Sequence, residues 1–234
     1  NTLDKNYLYL AEQLGVTILP EQEVQNIFPL EDGGYQITIR KSTGINRPIQ
    51  KLQSKKVILS GGVMGTVKLL LKCRDNGSLD EISNKLGDFV RTNSEAILGV
   101  KLNKAPAEDF TKGIAISAGF YPDKNTHIET VRYGQGQSAM ALMTTLLPDR
   151  KIPLPGFIRW GISIVRSPLQ FITTLFPINW AKKTIILLVM QPVNNYLKLN
   201  YKPRWWRLGG KSMNSRSNTG EKIPSHIPIG EKTA

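Results

Sequence analysis

The chain runs to 234 residues, 40% of them hydrophobic, with a formal net charge of +13 and a single cysteine. That length and apolar fraction suffice to bury one large core or two modest ones, which sets aside a disordered chain as the default reading. The lone Cys73 excludes an internal disulfide framework and fits a reducing compartment, and two histidines without a CxxC, HExxH or EF-hand pattern argue against a structural metal.

The sequence opens at Asn1 with no initiator Met and no basic-then-apolar leader, so neither a signal peptide nor a natural start is visible, and a fragment is expected. Leu3, Tyr7, Leu10 and Leu14 recur at helical spacing, and Gly15 stands where helices commonly stop, so a helix over 3–14 is expected. Val16–Leu19 and Tyr35–Arg40 read as strands, the second entered through the turn signal Asp32-Gly33-Gly34. The stretch KKVILSGGVMGTVKLLLK, residues 55–72, reads as a buried strand, a glycine turn and a helix. Together these form an α/β segment over 1–92.

From Thr92 onward the texture changes. Gly113–Phe120, Thr126–Tyr133, Thr184–Gln191 and Tyr196–Lys202 read as strands without alternating helices, which predicts a second domain over 93–234 with a largely antiparallel sheet. Two apolar helices interrupt it, one at Ser138–Leu147 and one at Phe157–Phe176. In the second, Ile158, Ile162, Val165, Leu169, Ile172 and Phe176 make one stripe, and Pro168 predicts a restart with Ser167 as N-cap. That stripe either closes a domain as core or lies on an anionic bilayer, with Trp160, Arg159 and Arg166 at its boundary. Charges and prolines leave no apolar run long enough for a transmembrane helix, so a cytoplasmic or peripheral-membrane setting is expected rather than an integral one.

The excess charge sits in the last third, where residues 150–234 hold 14 Lys/Arg against 2 Asp/Glu. Such a field attracts lipid headgroups or nucleic acid, or solvates one face. The run Lys202-Pro203-Arg204-Trp205-Trp206-Arg207 places aromatics between cations, as single-strand binders do, but paired Trp residues also suit a loop at a lipid or domain surface. No nucleic-acid fold accompanies it, so nucleic acid is not the expected partner. Residues 210–234, rich in Ser, Asn, Gly and Pro, read as a loop.

At the glycine turn, Gly61 and Gly62 remove the Cβ atoms that would hold a phosphate or ribose away, and Gly65 lets the helix pack close to the strand. No full dinucleotide fingerprint surrounds the turn. Tight βα turns use glycine without any ligand, and both readings stay open on spacing alone.

Read in order, NTLDKNYLYLAEQLGVTILPEQEVQNI, DGGYQITI, KKVILSGGVMGTVKLLLKCRDNGSLDEISNKLGDFVRTNSE, THIETVRYGQGQSAMALM and KTIILLVMQPVNNYLKL resemble the glucose-methanol-choline oxidoreductases, in their cholesterol oxidase-like branch. The resemblance implies a flavoprotein with an FAD-binding nucleotide domain, here partial, and a substrate domain on a mainly antiparallel sheet. It implies that Ser60, Gly61, Gly62 and Gly65 form a secondary FAD-contacting turn, that Val24 contacts the adenine half through its backbone, and that Asn93 passes beside the flavin ring. Glu129 aligns with the family's active-site glutamate, a base on the steroid. A carboxylate facing an apolar cavity suits proton abstraction; a Glu on a strand is otherwise a solvated edge charge.

The implied substrate is a hydrophobic alcohol such as a sterol 3-hydroxyl, with hydride passing to the flavin, dioxygen or another acceptor reoxidising it, and steroid isomerisation as a further step. The family's initial GxGxxG and its His-then-Asn catalytic block do not occur, and His226 does not match that block. The resemblance therefore implies an internal piece of the enzyme that binds FAD poorly by itself.

Overall fold

A computed structural model describes residues 2–104, 106–204, 210–217 and 226–234. Trp205, Trp206 and Arg207 of the basic aromatic run lie outside the described residues. The chain divides into two compact units, Asn1–Val90 with Tyr196–Thr219, and Arg91–Asn195 with Gly220–Ala234.

The first unit begins with a 3-10 turn, Leu3–Lys5, and a short helix α1, Tyr7–Gln13, where one helix over 3–14 was expected. Strands β1 (Gln22–Pro29), β2 (Tyr35–Lys41) and β3 (Ile49–Ser54) follow as an antiparallel meander in the order β1-β2-β3. Its tight β1–β2 turn requires Gly34: φ is +86°, and a Cβ there would stand 2.8 Å from the Ser54 carbonyl oxygen. Helix α2, Gly62–Asp75, sends Leu71 and Cys73 into the interior, where Ile27 of β1 and Ile39 of β2 are also buried.

A polar clasp joins α2 to β1. The Asn26 side-chain oxygen accepts from Cys73 Sγ at 3.3 Å, from Asn76 Nδ2 at 3.1 Å and from Ser78 Oγ at 2.7 Å. The amide thereby ties the strand to the end of the helix, and this accounts for a buried thiol with no redox partner beside it.

The structure corrects three expectations in this unit. Val16–Leu19 and Lys56–Ser60 form no strand, and Ile58, expected in a buried strand, is 90% exposed. A buried parallel strand needs hydrogen-bonding neighbours, and among the described residues these segments have none. Gly65 does not serve close packing of α2 on a strand, because nothing lies within 4 Å of a Cβ built there. The Tyr196–Lys202 strand does not join the second sheet: Leu197–Pro203 pairs with Lys211–Ser217 as a separate hairpin. That hairpin returns to residues 87–90, with Leu197 N–H donating to Val90 O at 2.7 Å and Leu199 N–H to Gly87 O at 2.8 Å. At Gly87 φ is +89°, and a side chain there would run into the Leu199 carbonyl.

The second unit is built on β4 (Ala96–Lys101), β5 (Ile116–Asp123), β6 (Thr126–Val131) and β7 (Thr184–Met190), antiparallel throughout in the order β4-β7-β6-β5. Alternation along these β-branched and aliphatic runs gives the sheet two faces. On one, Ile128, Leu187 and Val189 pack with Ile227 beside helix α6, Pro228–Thr233, a helix within a tail expected to be loop. The approach is close at Gly230, whose added Cβ would meet Val189 Cγ2 at 2.8 Å.

The other face is covered over part of its area. Ile186 packs with Ala141, Trp180 and Ala181, from the 3-10 segment Gln137–Met143 and helix α5, Trp180–Lys183. The expected Ser138–Leu147 helix is thus one short 3-10 segment. Helices α3 (Gly156–Arg166) and α4 (Pro168–Leu175) break at Ser167 and restart with Pro168 in the first turn, as the sequence predicts. Neither buries a residue, which overturns the expectation that their stripe closes the domain as core. Trp160 and Phe171 instead meet edge to face at 6.1 Å, and the Trp160 indole N–H donates to Thr145 Oγ1 at 2.7 Å. Among the described residues no helix is long and apolar enough to cross a membrane.

Candidate active site

The partly covered face of the second sheet carries a row of cross-strand neighbours, Ile97 on β4, Leu188 on β7, Glu129 on β6 and Gly119 on β5. The carboxylate therefore stands in a band of aliphatic side chains. It is half-buried, with 28% of its side chain exposed, so it is neither sealed in the core nor a freely solvated edge charge.

One step along the strand, the same alternation brings His127 beside Glu129, with Nδ1 4.0 Å from Oε1. The imidazole stacks on Tyr121 at a centroid distance of 4.5 Å and an interplanar angle of 14°. Cross-strand from it is Met190. Gly119 makes the room: an added Cβ would lie 2.7 Å from His127 Nε2 and 3.7 Å from Glu129 Cγ.

A cavity of about 550 Å³ reaches His127 but not Glu129; it is lined by Asn93, Tyr121, His127, Met190 and Gln191, with Arg91 on its wall. That volume is within the usual range for small-molecule sites. Thr126 anchors the floor from the opposite face, its buried hydroxyl accepting from Gln191 Nε2 at 2.9 Å and donating to Asp123 Oδ2 at 3.1 Å. At Asp123, the backbone N–H of Asn125 and then the Thr126 hydroxyl hold the carboxyl below the ordinary aspartate range. Asn93 donates to Glu95 Oε2 at 2.9 Å, and its carbonyl accepts from Gln191 N–H at 3.3 Å.

In the first unit, Ser60, Gly61, Gly62 and Gly65 all lie at the exposed N-terminal end of α2. Gly62 has φ +68° with open space around its Cβ position, and the Gly61 N–H donates to Thr66 Oγ1 at 3.1 Å. This is an uncluttered, Cβ-free turn leading into a helix of 14 residues, with the positive end of its dipole outward. Val24 lies on β1 where the pairing with β2 shifts register between Val24 and Asn26, and it is 37% exposed.

The structure thus gathers Glu129 and the cavity containing Asn93 in the second unit, and Val24 and the four turn residues in the first. Sequence reasoning missed the stack of Tyr121 on His127 and the contribution of Gln191. The former depends on the cross-strand register that sets Gly119 opposite Glu129, and no local pattern marks the latter.

No family model matches the chain. It is 38% identical over 237 residues to a protein named cholesterol oxidase from Acinetobacter baumannii, a match covering 97% of this chain and 41% of that protein. It is 37% identical over 238 residues to proteins of the same name from two strains of Mycobacterium tuberculosis, CDC 1551 / Oshkosh and ATCC 25618 / H37Rv, covering 99% of this chain and 41% of each relative. By this match along nearly all of its own length, the chain is homologous to the cholesterol oxidases, over a stretch spanning about 41% of theirs.

Proposed function

We propose that this chain forms part of an FAD-dependent alcohol oxidoreductase of the glucose-methanol-choline type, with residues 1–92 contributing to the FAD-binding domain and the second sheet to a chamber for a hydrophobic alcohol such as a sterol. The observation that carries the reading is Glu129, a half-buried carboxylate in an aliphatic row whose neighbour His127, with Nδ1 4.0 Å from Oε1, lines a cavity of about 550 Å³. The turn residues fit the cofactor, since Gly61 and Gly62 leave space at a helix N-terminus that any larger residue would fill. Val24 and Asn93 are the further residues assigned to hold it. When bound, FAD supplies the acceptor for the hydride that an alcohol carbon loses on becoming a carbonyl.

In this reading Glu129 takes the hydroxyl proton, while Ile97, Leu188 and Met190 hold the apolar body of the substrate and exclude water. With a 5-ene steroid ketone, the same carboxylate would remove a proton from one ring carbon and return it to another, which is isomerisation without a net change in atoms. Dioxygen or a second acceptor would take the electrons onward.

The test is a graft in which residues 1–234 replace the matching stretch of the Acinetobacter baumannii cholesterol oxidase. The expected product is yellow and oxidises cholesterol. A graft that folds and holds flavin yet oxidises no sterol or long-chain alcohol sinks the reading.

A second reading, compatible with the first, is peripheral contact of α3 and α4 with an anionic bilayer. It is favoured by the exposure of Phe157 (75%), Val165 (80%) and Leu169 (76%) on helices that bury nothing, with Arg159 and Arg166 nearby. Flotation with phosphatidylserine vesicles checks it: binding is expected for the chain and loss for R159E/R166E, and equal flotation of the two rules it out.

A further inference from the structure

Glu129 is an unremarkable group without its surroundings: a flexible side chain of three torsions on the open part of a sheet face. A base of this kind works only if its oxygen is held where the proton leaves, and a misplacement of about 1 Å costs roughly a hundredfold in rate. Something must therefore fix it. Among the described residues no hydrogen bond to the carboxylate of Glu129 is formed, and Nδ1 of His127 stands 4.0 Å from Oε1, an ion-pair rather than a hydrogen-bond distance.

The imidazole is itself held by unusual means. Tyr121 stacks on it at 4.5 Å, close to parallel, which restricts its rotation. Gly119 leaves the gap that Nε2 occupies, since an added Cβ would approach to 2.7 Å. A phenol face and a missing side chain, both on β5, thus converge on one ring of β6, and that ring reaches toward the carboxylate. His127 also lines the cavity that a ligand would fill.

The surrounding charges do not offer a substitute. Arg91 and Lys124 stand on the cavity wall. Asp123 is engaged with Asn125 and Thr126 in the β5–β6 turn, and Glu95 accepts from Asn93. From β7, the neighbours are Met190 opposite His127 and Leu188 opposite Glu129, neither of which titrates.

We propose that His127 is a positioning residue for Glu129: clamped by Tyr121 and accommodated by Gly119, its Nδ1 orients the carboxylate toward the ligand chamber. The inference rests on the reading of Glu129 as the base. It makes Tyr121 and Gly119 parts of the same device, acting through the imidazole rather than on the substrate.

Two substitutions separate orientation from packing. His127→Phe keeps a ring for Tyr121 but removes the nitrogen, whereas His127→Asn keeps a nitrogen donor near the Nδ1 position and gives up the stack. In the grafted oxidase, His127→Phe is expected to lower kcat about tenfold to a hundredfold with KM held within about twofold, and His127→Asn, which keeps the donor but loses the clamp, to fall between the parent and His127→Phe. The reverse order, with Phe active and Asn impaired, would make His127 a packing residue and overturn the proposal. If the unsubstituted graft folds and holds flavin but is inactive, the oxidoreductase reading is what fails, and the 234-residue chain still decides this one. With ¹⁵N-labelled histidine, Glu129→Gln is expected to move the His127 Nδ1 resonance and Glu95→Gln to leave it, and no movement with Glu129→Gln would end the idea.

Discussion

In the first unit the meander buries Ile27 and Ile39 and leaves β3 exposed along its whole length, whereas in the second unit β7 buries Thr184, Ile186, Leu187 and Val189 and has cores on both faces. The difference follows from strand position. β3 is an edge, and its Gln50, Lys51 and Gln53 tolerate water and discourage pairing with another chain. β7 lies between β4 and β6, so its side chains meet neighbours above, below and beside them. The Cβ-free turn of the first unit is consequently shaped by what is missing, and the Glu129 site of the second by what is packed around it.

That contrast is tested most strongly at Glu129. In the grafted oxidase, Glu129→Gln is expected to lower kcat by about 10²–10⁴-fold, the range for a lost proton-transfer group, with flavin content unchanged. Absorbance at the flavin band and sterol-dependent turnover check both halves. Gly62→Ala should do the opposite, lowering flavin retention while the turnover of the molecules that keep flavin holds, because it adds a Cβ at φ +68° in the open turn.

Next in size is the core beneath the site. Ile128 is fully buried between Leu187, Val189 and Ile227, and Ile128→Ala should cost about 2–4 kcal/mol through the cavity it leaves. Urea unfolding followed by amide exchange along β6 and β7 would read this, with protection of β1 and β2 as the internal comparison. A loss smaller than about 1 kcal/mol would mean that the second sheet is less tightly filled than the first.

In the first unit the corresponding weak point is polar. Asn26→Ala removes the acceptor for Cys73, Asn76 and Ser78 together and should cost about 1 kcal/mol, through the buried Cys73 thiol and the Ser78 hydroxyl, which keeps only the Cys73 carbonyl as acceptor, while the exposed Asn76 turns to water. Thiol labelling of Cys73 should quicken in that variant, since the residue is wholly buried in the parent chain.

Much of the second sheet was legible because antiparallel strands joined by short turns bring their partners with them. Only Lys124-Asn125 separates β5 from β6, and the alternation of Thr126, Ile128 and Thr130 against His127, Glu129 and Val131 states both faces in six residues. The break at Ser167–Pro168 was equally local, set by a missing N–H. What failed was non-local. The runs Val16–Leu19 and Val57–Leu59 have the apolar composition of buried strands, but composition does not supply a neighbour to pair with. The return of Leu197–Pro203 to Gly87 and Val90 spans more than a hundred residues and depends on a glycine carbonyl that no periodicity marks. At the site, Glu129 was reached through a resemblance, whereas its companions Tyr121 and Gly119 required knowing the cross-strand register.

The smallest effect expected is a pH response at the β5–β6 turn. Hydrogen bonds from the Asn125 N–H and the Thr126 hydroxyl favour the ionised Asp123 carboxylate in the folded state, so its folded value lies below the unfolded one. Stability from this source is fully present above the ordinary aspartate value of about 3.9 and is lost as pH falls through the lower, folded value. Asp123→Asn removes that titration while keeping a side-chain acceptor for the turn. Amide exchange of Asn125 and Thr126 should therefore quicken on acidification in the parent chain and change less in the variant. Because the Thr126 hydroxyl also accepts from Gln191 on the cavity wall, the same acidification should loosen Gln191 in the parent and spare it in Asp123→Asn. An identical acid response of Gln191 in both chains would show that the turn and the cavity wall are uncoupled, leaving the second unit's site dependent on its sheet alone.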